Sequence, residues 1–131
     1  MPQVNWLAVV AAAAASFIVG GIWYSGLFGK AWQAAAGLSD EQAASGNKGL
    51  IFGGAFVLSL VEAAVFALFL GPKPALGLAV GAGFAAGLCW VATSFGINDL
   101  FEQRPLQLTL INGGYHTLQF TVMGAILGAW H

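Results

Sequence analysis

The chain has 131 residues, 59% of them hydrophobic and 7% charged, with a mean hydropathy of +0.82. Soluble domains carry about 25% charged residues, so so few ionised side chains argue against a water-soluble globule and for an integral membrane domain spanning residues 1–131. A net charge of −1 without a basic run argues against nucleic-acid binding, and a single cysteine, Cys89, leaves no intrachain disulfide or cysteine-held cluster.

The predicted fold is all-α, a four-transmembrane-helix bundle. A bilayer core of about 30 Å takes about 20 apolar residues in a helix, and four runs satisfy this: 4–28, 49–71, 75–98 and 106–130. The first contains AAAAAS at 11–16, a small-residue stretch like a signal-peptidase site. No Lys or Arg precedes it and the apolar run continues through FIVGGIWYSGLF, so it is read as an uncleaved span. Between the first two spans, Ser39 with Gln42 three residues later forms a capping-box pattern and Gly46 a stop, which predicts a short interfacial helix at about 39–45. The second and third spans are separated only by PKP at 72–74 and form a tight antiparallel hairpin. The third ends in INDLFEQRP, where Asp99, Glu102 and Arg104 make an interfacial turn, with Arg104 near lipid phosphates.

Trp6 and Trp130 fall at one end of such a bundle, and Trp23, Tyr24 and Trp32 at the other, as aromatic belts require. Lys30, Lys48 and Arg104 lie on one side and Lys73 on the opposite side, which predicts the first group in the cytoplasm and both termini outside, in the periplasm. Glycines recur at four-residue spacing: Gly49/Gly53, Gly77/Gly81, Gly83/Gly87 and Gly124/Gly128. Such stripes let helix backbones approach closely. Several stripes cannot all face inward in a small bundle, so a homo-oligomer is expected. IFGGAFVLSL at 51–60 echoes INGGYHTLQF at 111–120, and a true echo would make the protein two hairpins of like orientation.

Two ionisable groups fall deep in the spans, Glu62 and His116. Each costs on the order of 3 kcal/mol at the centre of a bilayer. Counting 1.5 Å per residue places Glu62 about 20 Å and His116 about 15 Å from the 29–48 side, close enough for a direct or water-bridged pair. Asn112, Tyr115, His116 and Gln119 occupy i, i+3, i+4 and i+7, one face of the last helix. Ser16, Gly20, Trp23 and Tyr24 make a matching stripe on the first, and Trp90, Thr93, Ser94 and Asn98 on the third. Together they predict a polar intramembrane vestibule with Glu62 near its floor. The competing reading is interhelical glue, with Ser and Thr bonded to their own backbone. No metal or cofactor site is expected, because one His and one Glu are too few ligands. No nucleophile–base spacing marks a catalytic residue.

WYSGLFGKAW at 23–32, NDLFEQRPLQL at 98–108, INGGYH at 111–116 and MGAILGAW at 123–130 resemble a family of small four-span bacterial membrane proteins known only as a domain of unknown function. The resemblance covers nearly the whole chain. Family members often carry Pro where this sequence has Gly26, so the first span here is left by a less sharply turned exit. The resemblance implies the fold and the bacterial inner membrane, and brings no activity. The expected function is the handling of a small solute, lipid or ion at a pocket formed by Glu62, His116, Asn112, Tyr115 and Gln119. The alternatives are a structural, partner-stabilising membrane protein and, less favoured, an intramembrane enzyme.

Overall fold

The computed structural model describes residues 4–131, and every element among them is helical. Helix α1 runs from Trp6 to Gly21 and continues as a wider, π-helical turn through Ile22–Leu27. The side chain of Asn5 caps its start by accepting from the Ala8 N–H at 3.1 Å. The wide turn ends with the Phe28 N–H bonded to the Trp23 carbonyl at 2.8 Å, five residues back. A Cβ at Gly29 would lie 2.5 Å from the Tyr24 carbonyl oxygen, so only glycine lets the chain turn here into α2, Gly29–Ala36. The apolar runs and the capping pattern predict no helix between residue 28 and Ser39, so α2 is an addition that the structure makes. Its alanines are strong helix formers, and Gly37, at φ 74°, provides the left-handed stop.

Helix α3, Asp40–Ser45, forms with the expected capping box: Ser39 Oγ accepts from the Gln42 N–H at 3.1 Å, and the Ser39 N–H donates to Gln42 Oε1 at 2.9 Å. Helix α4, Lys48–Leu70, is capped by Asn47 and ends at Gly71, φ 86°. After the PKP turn, α5 (Leu76–Ala86) leads through a second π-helical turn, Gly87–Ala92, into α6, Thr93–Phe101. Thr93 and Ser94 donate to the carbonyls of Cys89 and Trp90, so the two hydroxyls of the predicted polar stripe on this helix are spent on its own backbone. Helix α7, Leu106–Ala129, starts after Pro105, whose fixed φ and missing N–H suit a helix entry.

Three stretches are long and apolar enough to cross a membrane: Trp6–Leu27, Lys48–Leu70 and Leu76–Phe101. Helix α7 is as long, at 24 residues, but the polar side chains between Gln107 and Gln119 keep it out of that set.

Helix α7 lies at the centre, packed along α5 on one side and α1 on the other, and α4 rests mainly on α1. The order across the molecule is therefore α4, α1, α7, α5, and α4 and α5 flank an opening rather than each other. The α5–α7 seam is built on glycine. A Cβ at Gly83 would collide with the Phe120 carbonyl oxygen, one at Gly124 with the Ala79 carbonyl oxygen, and one at Gly87 would lie 2.6 Å from Thr117 Cα. The Gly83/Gly87 and Gly124/Gly128 stripes thus close on each other within the chain. Gly53, Gly77 and Gly81 have open space beside them. The echo between 51–60 and 111–120 is not matched by equivalent packing. Gly54 faces open space, whereas Gly113 packs on Ala92 and Gly114 on Trp23.

The apolar core is thin and alanine-rich. Ala8, Val9, Ala12 and Ala13 of α1 meet Ala63, Phe66 and Ala67 of α4 and Phe120, Met123 and Leu127 of α7. Small side chains on α1 let both neighbours come close, so dispersion contacts accumulate without bulk.

Candidate functional site

The polar face of α7 is divided between its neighbours instead of surrounding one vestibule. Toward α1, Tyr24 Oη donates to Asn112 Oδ1 at 2.6 Å, Trp23 Nε1–H donates to the Ile111 carbonyl at 2.9 Å, and Tyr115 Oη donates to the Ser16 carbonyl at 3.1 Å. Gly20 makes room for the Tyr115 ring, since a Cβ there would lie 3.1 Å from its hydroxyl. The wide turn of Ile22–Leu27 brings the consecutive residues Trp23 and Tyr24 onto the same neighbour, which a regular 100° step resists. The stripe read on the first helix is therefore the counterpart of Asn112 and Tyr115.

Toward α6, the His116 ring stacks on Phe95 with centroids 5.1 Å apart and planes 17° apart. Toward α4, Gln119 is buried and its Nε2–H donates to Glu62 Oε1 at 2.8 Å. Its carbonyl oxygen lies 2.6 Å from His116 Nδ1. An amide oxygen only accepts, so His116 Nδ1 carries the proton and donates. The expected direct or water-bridged Glu62–His116 pair is thus replaced by a three-member chain, with the amide of Gln119 inserted between them. Depth counting placed the two groups at similar height, but the i+3 position of Gln119 on the same helix fills the gap first.

Asp99, Glu102 and Arg104 separate. Asp99 is buried, 6% exposed, and accepts from Thr109 Oγ1 of α7 at 2.5 Å, which fastens the end of α6 to the start of α7. Glu102 and Arg104 are exposed and pair loosely at 3.9 Å, and Arg104 Nη1 donates to the Ala36 carbonyl at 3.5 Å. Gln103 turns the chain between them at φ 57°. The expected interfacial turn thus holds two surface residues, and Asp99 belongs to the helix packing. Among the described residues, no three His, Cys, Asp or Glu side chains converge to hold a metal ion.

A lateral groove of about 640 Å³ lies between α4 and the α5–α6 rod, with Phe120 of α7 in its lining. Val61, Val65, Phe66 and Phe69 form one wall and Ala82, Ala85, Ala86, Cys89, Trp90 and Val91 the other. Among the described residues, the only ionisable lining group besides Cys89 is Glu62. Asn112, Tyr115, His116 and Gln119 do not line it. The predicted vestibule is replaced by an apolar groove with one carboxyl at its edge, because α7 spends its polar groups on holding helices. Sequence reading missed the groove, since its walls are ordinary span residues and only the separation of α4 from α5 exposes them.

An all-helical protein with three helices able to cross a membrane, a central polar helix and an apolar side groove is the class that these features define. The chain belongs to the family described as protein of unknown function (DUF1761), whose model matches residues 7–128. No curated protein and no solved structure matches it.

Proposed function

We propose that the protein is an integral membrane protein that binds the apolar part of a small amphiphile or lipid in the groove between α4 and α5, with Glu62 as its polar contact. The observation that carries this reading is a single carboxyl on the wall of a 640 Å³ groove otherwise lined, apart from Cys89, by hydrocarbon and aromatic side chains. Its volume lies within the ~300–1,000 Å³ of small-molecule sites. The membrane setting is supported by the three apolar rods and by their outward-facing Leu, Val, Ile and Phe side chains, which form more exposed apolar surface than a soluble monomer carries. Four passes are supported by the antiparallel run of α1 against α7, in which Ser16 meets Tyr115 near the middle and the Asn5 amide donates to the Trp130 carbonyl at one end. Among the described residues no fully buried side-chain nitrogen or oxygen lacks a partner, which lowers the cost of inserting α7. The distribution of Lys and Arg favours both termini outside, the family resemblance favours the inner membrane, and a homo-oligomer remains the use proposed for the open faces at Gly53, Gly77 and Gly81.

The amide between Glu62 and His116 bears on mechanism. A proton cannot cross it without converting the amide to its imidic acid form, so the chain orients Glu62 rather than conducting protons to it. Protein released from nanodiscs for native mass spectrometry should carry an amphiphile that is lost on Ala85→Trp, a substitution on the exposed groove wall, at unchanged thermal stability. Retention of the bound mass in that variant would sink the reading.

The second reading, interhelical glue, is favoured by the satisfied chain from Glu62 through Gln119 to His116. Under the binding reading, Glu62→Gln and His116→Ala leave folded yield and oligomer size intact. Under the glue reading both lower the thermal midpoint or dissociate the oligomer, and unchanged stability in both variants removes it.

A further inference from the structure

The groove also constrains the charge of its occupant, a step that rests on the binding reading above. Glu62 stands about 21 Å from the Lys48 end of α4 and about 12 Å from the Leu70 end at 1.5 Å per residue, so it is remote from both helix termini. One carboxyl oxygen accepts from Gln119, and among the described residues that amide is its only hydrogen-bond donor. No cation lines the groove. All four Lys and Arg residues sit at helix starts or in turns: Lys30 in the first turn of α2, Lys48 at the start of α4, Lys73 in the PKP turn and Arg104 before α7.

These placements separate the possible occupants. A second copy laid into the groove would bring apolar helix faces but no positive group to this depth, and a twofold arrangement would set Glu62 beside Glu62. A phospholipid head group belongs at the interface, and its phosphate would face a carboxylate. A neutral tail would leave the second carboxyl oxygen in hydrocarbon without a partner, which is costly. The complement to a lone carboxyl in an apolar slot is a positive N–H donor on an apolar body.

We infer that the groove binds a membrane-dissolved organic amine, its hydrocarbon or aromatic body held between Val65, Phe66, Ala82 and Ala86 and its ammonium donating to Glu62. Trp90, on the opposite wall, adds an indole of the kind that attracts organic cations. Gln119, held by His116, fixes one carboxyl oxygen of Glu62 and leaves the other for the ammonium.

The test uses the full chain in phosphatidylcholine nanodiscs. Dodecylamine, dodecanol and dodecanoate are measured by equilibrium dialysis, and uptake by empty discs is subtracted. One equivalent of dodecylamine is expected to bind about tenfold or more tightly than dodecanol, the worth of a hydrogen bond to a charged group. Dodecanoate should bind more weakly than either. Glu62→Gln should bring the amine down to the level of the alcohol and leave the alcohol unchanged. Glu62→Asp, which keeps the charge, should retain part of the preference, and Ala85→Trp should abolish binding of amine and alcohol alike.

Equal binding of amine and alcohol, still blocked by Ala85→Trp, would overturn the amine inference while leaving the groove as a binding site. Ala85→Trp without effect on either probe would remove the groove reading as well. Loss of the preference to the same extent in Glu62→Asp and Glu62→Gln would assign it to packing and overturn the ion pair. No uptake of any probe, together with an oligomer that Ala85→Trp dissociates, would assign the groove to a second copy.

Discussion

Gln119 is the side chain on which the polar interior turns. It is buried and engages one partner on α4 and one on its own helix. Interhelical hydrogen bonds in membranes contribute about 0.6–2 kcal/mol each, and removing the amide leaves two half-buried groups, Glu62 and His116, without their partner. Gln119→Ala is expected to destabilise the protein by about 2 kcal/mol, read as a shift of the unfolding midpoint in mixed detergent. An unchanged midpoint would show that the amide is incidental. Tyr115→Phe removes the hydroxyl that bonds the Ser16 carbonyl at 3.1 Å and meets the Ser16 hydroxyl at 3.4 Å, and it keeps the ring against Gly20, so its expected cost is smaller, about 1 kcal/mol. Sequence alone located all of these polar residues, since their i, i+3, i+4, i+7 spacing is unambiguous. It could not divide them, because residues on one helix face point across an arc wide enough to meet three neighbours.

At the scale of elements, the α5–α7 seam depends on glycines that have no room for a methyl group, while other glycines at the same spacing have room to spare. Gly83→Ala forces the helix backbones apart, and overpacking of this kind costs about 1–3 kcal/mol. Gly81→Ala meets nothing and should lie within about 0.5 kcal/mol of the parent. Thermal unfolding of the two variants side by side checks the contrast, and equal losses would refute the assignment of the seam. The capping box of α3 was legible, because a Ser and a Gln three residues apart report local geometry directly. Helix α2 was not, and neither were the two π-helical turns. Such turns insert one residue into a helix that keeps its periodicity on both sides, and only the neighbours that they serve, Trp23 and Tyr24 against α7, reveal the need for them.

For the molecule as a whole, the arrangement predicts which ends share a side of the bilayer. With Cys89→Ser as background, Lys73→Cys and His131→Cys should react with a membrane-impermeant maleimide from one side, and Gln33→Cys and Gln103→Cys only from the other. Labelling of His131→Cys together with Gln103→Cys would show that α7 does not cross. The same count of passes bears on the groove, which opens into bilayer only if α4 and α5 both cross.

Composition and the lengths of the apolar runs were enough to determine a helical chain with stretches long and apolar enough to cross a membrane, because burying a backbone in hydrocarbon leaves helix as the economical solution for a segment of that length. The position of Glu62, deep in such a segment, was legible for the same reason. Which helices adjoin was decided only in three dimensions. Apolar faces in a span are interchangeable as far as lipid is concerned, so hydropathy does not record which of them meet. The contacts are chosen by missing side chains at Gly83, Gly87 and Gly124 and by the reach of Gln119. Those choices set α4 apart from α5, and with that separation they made the groove.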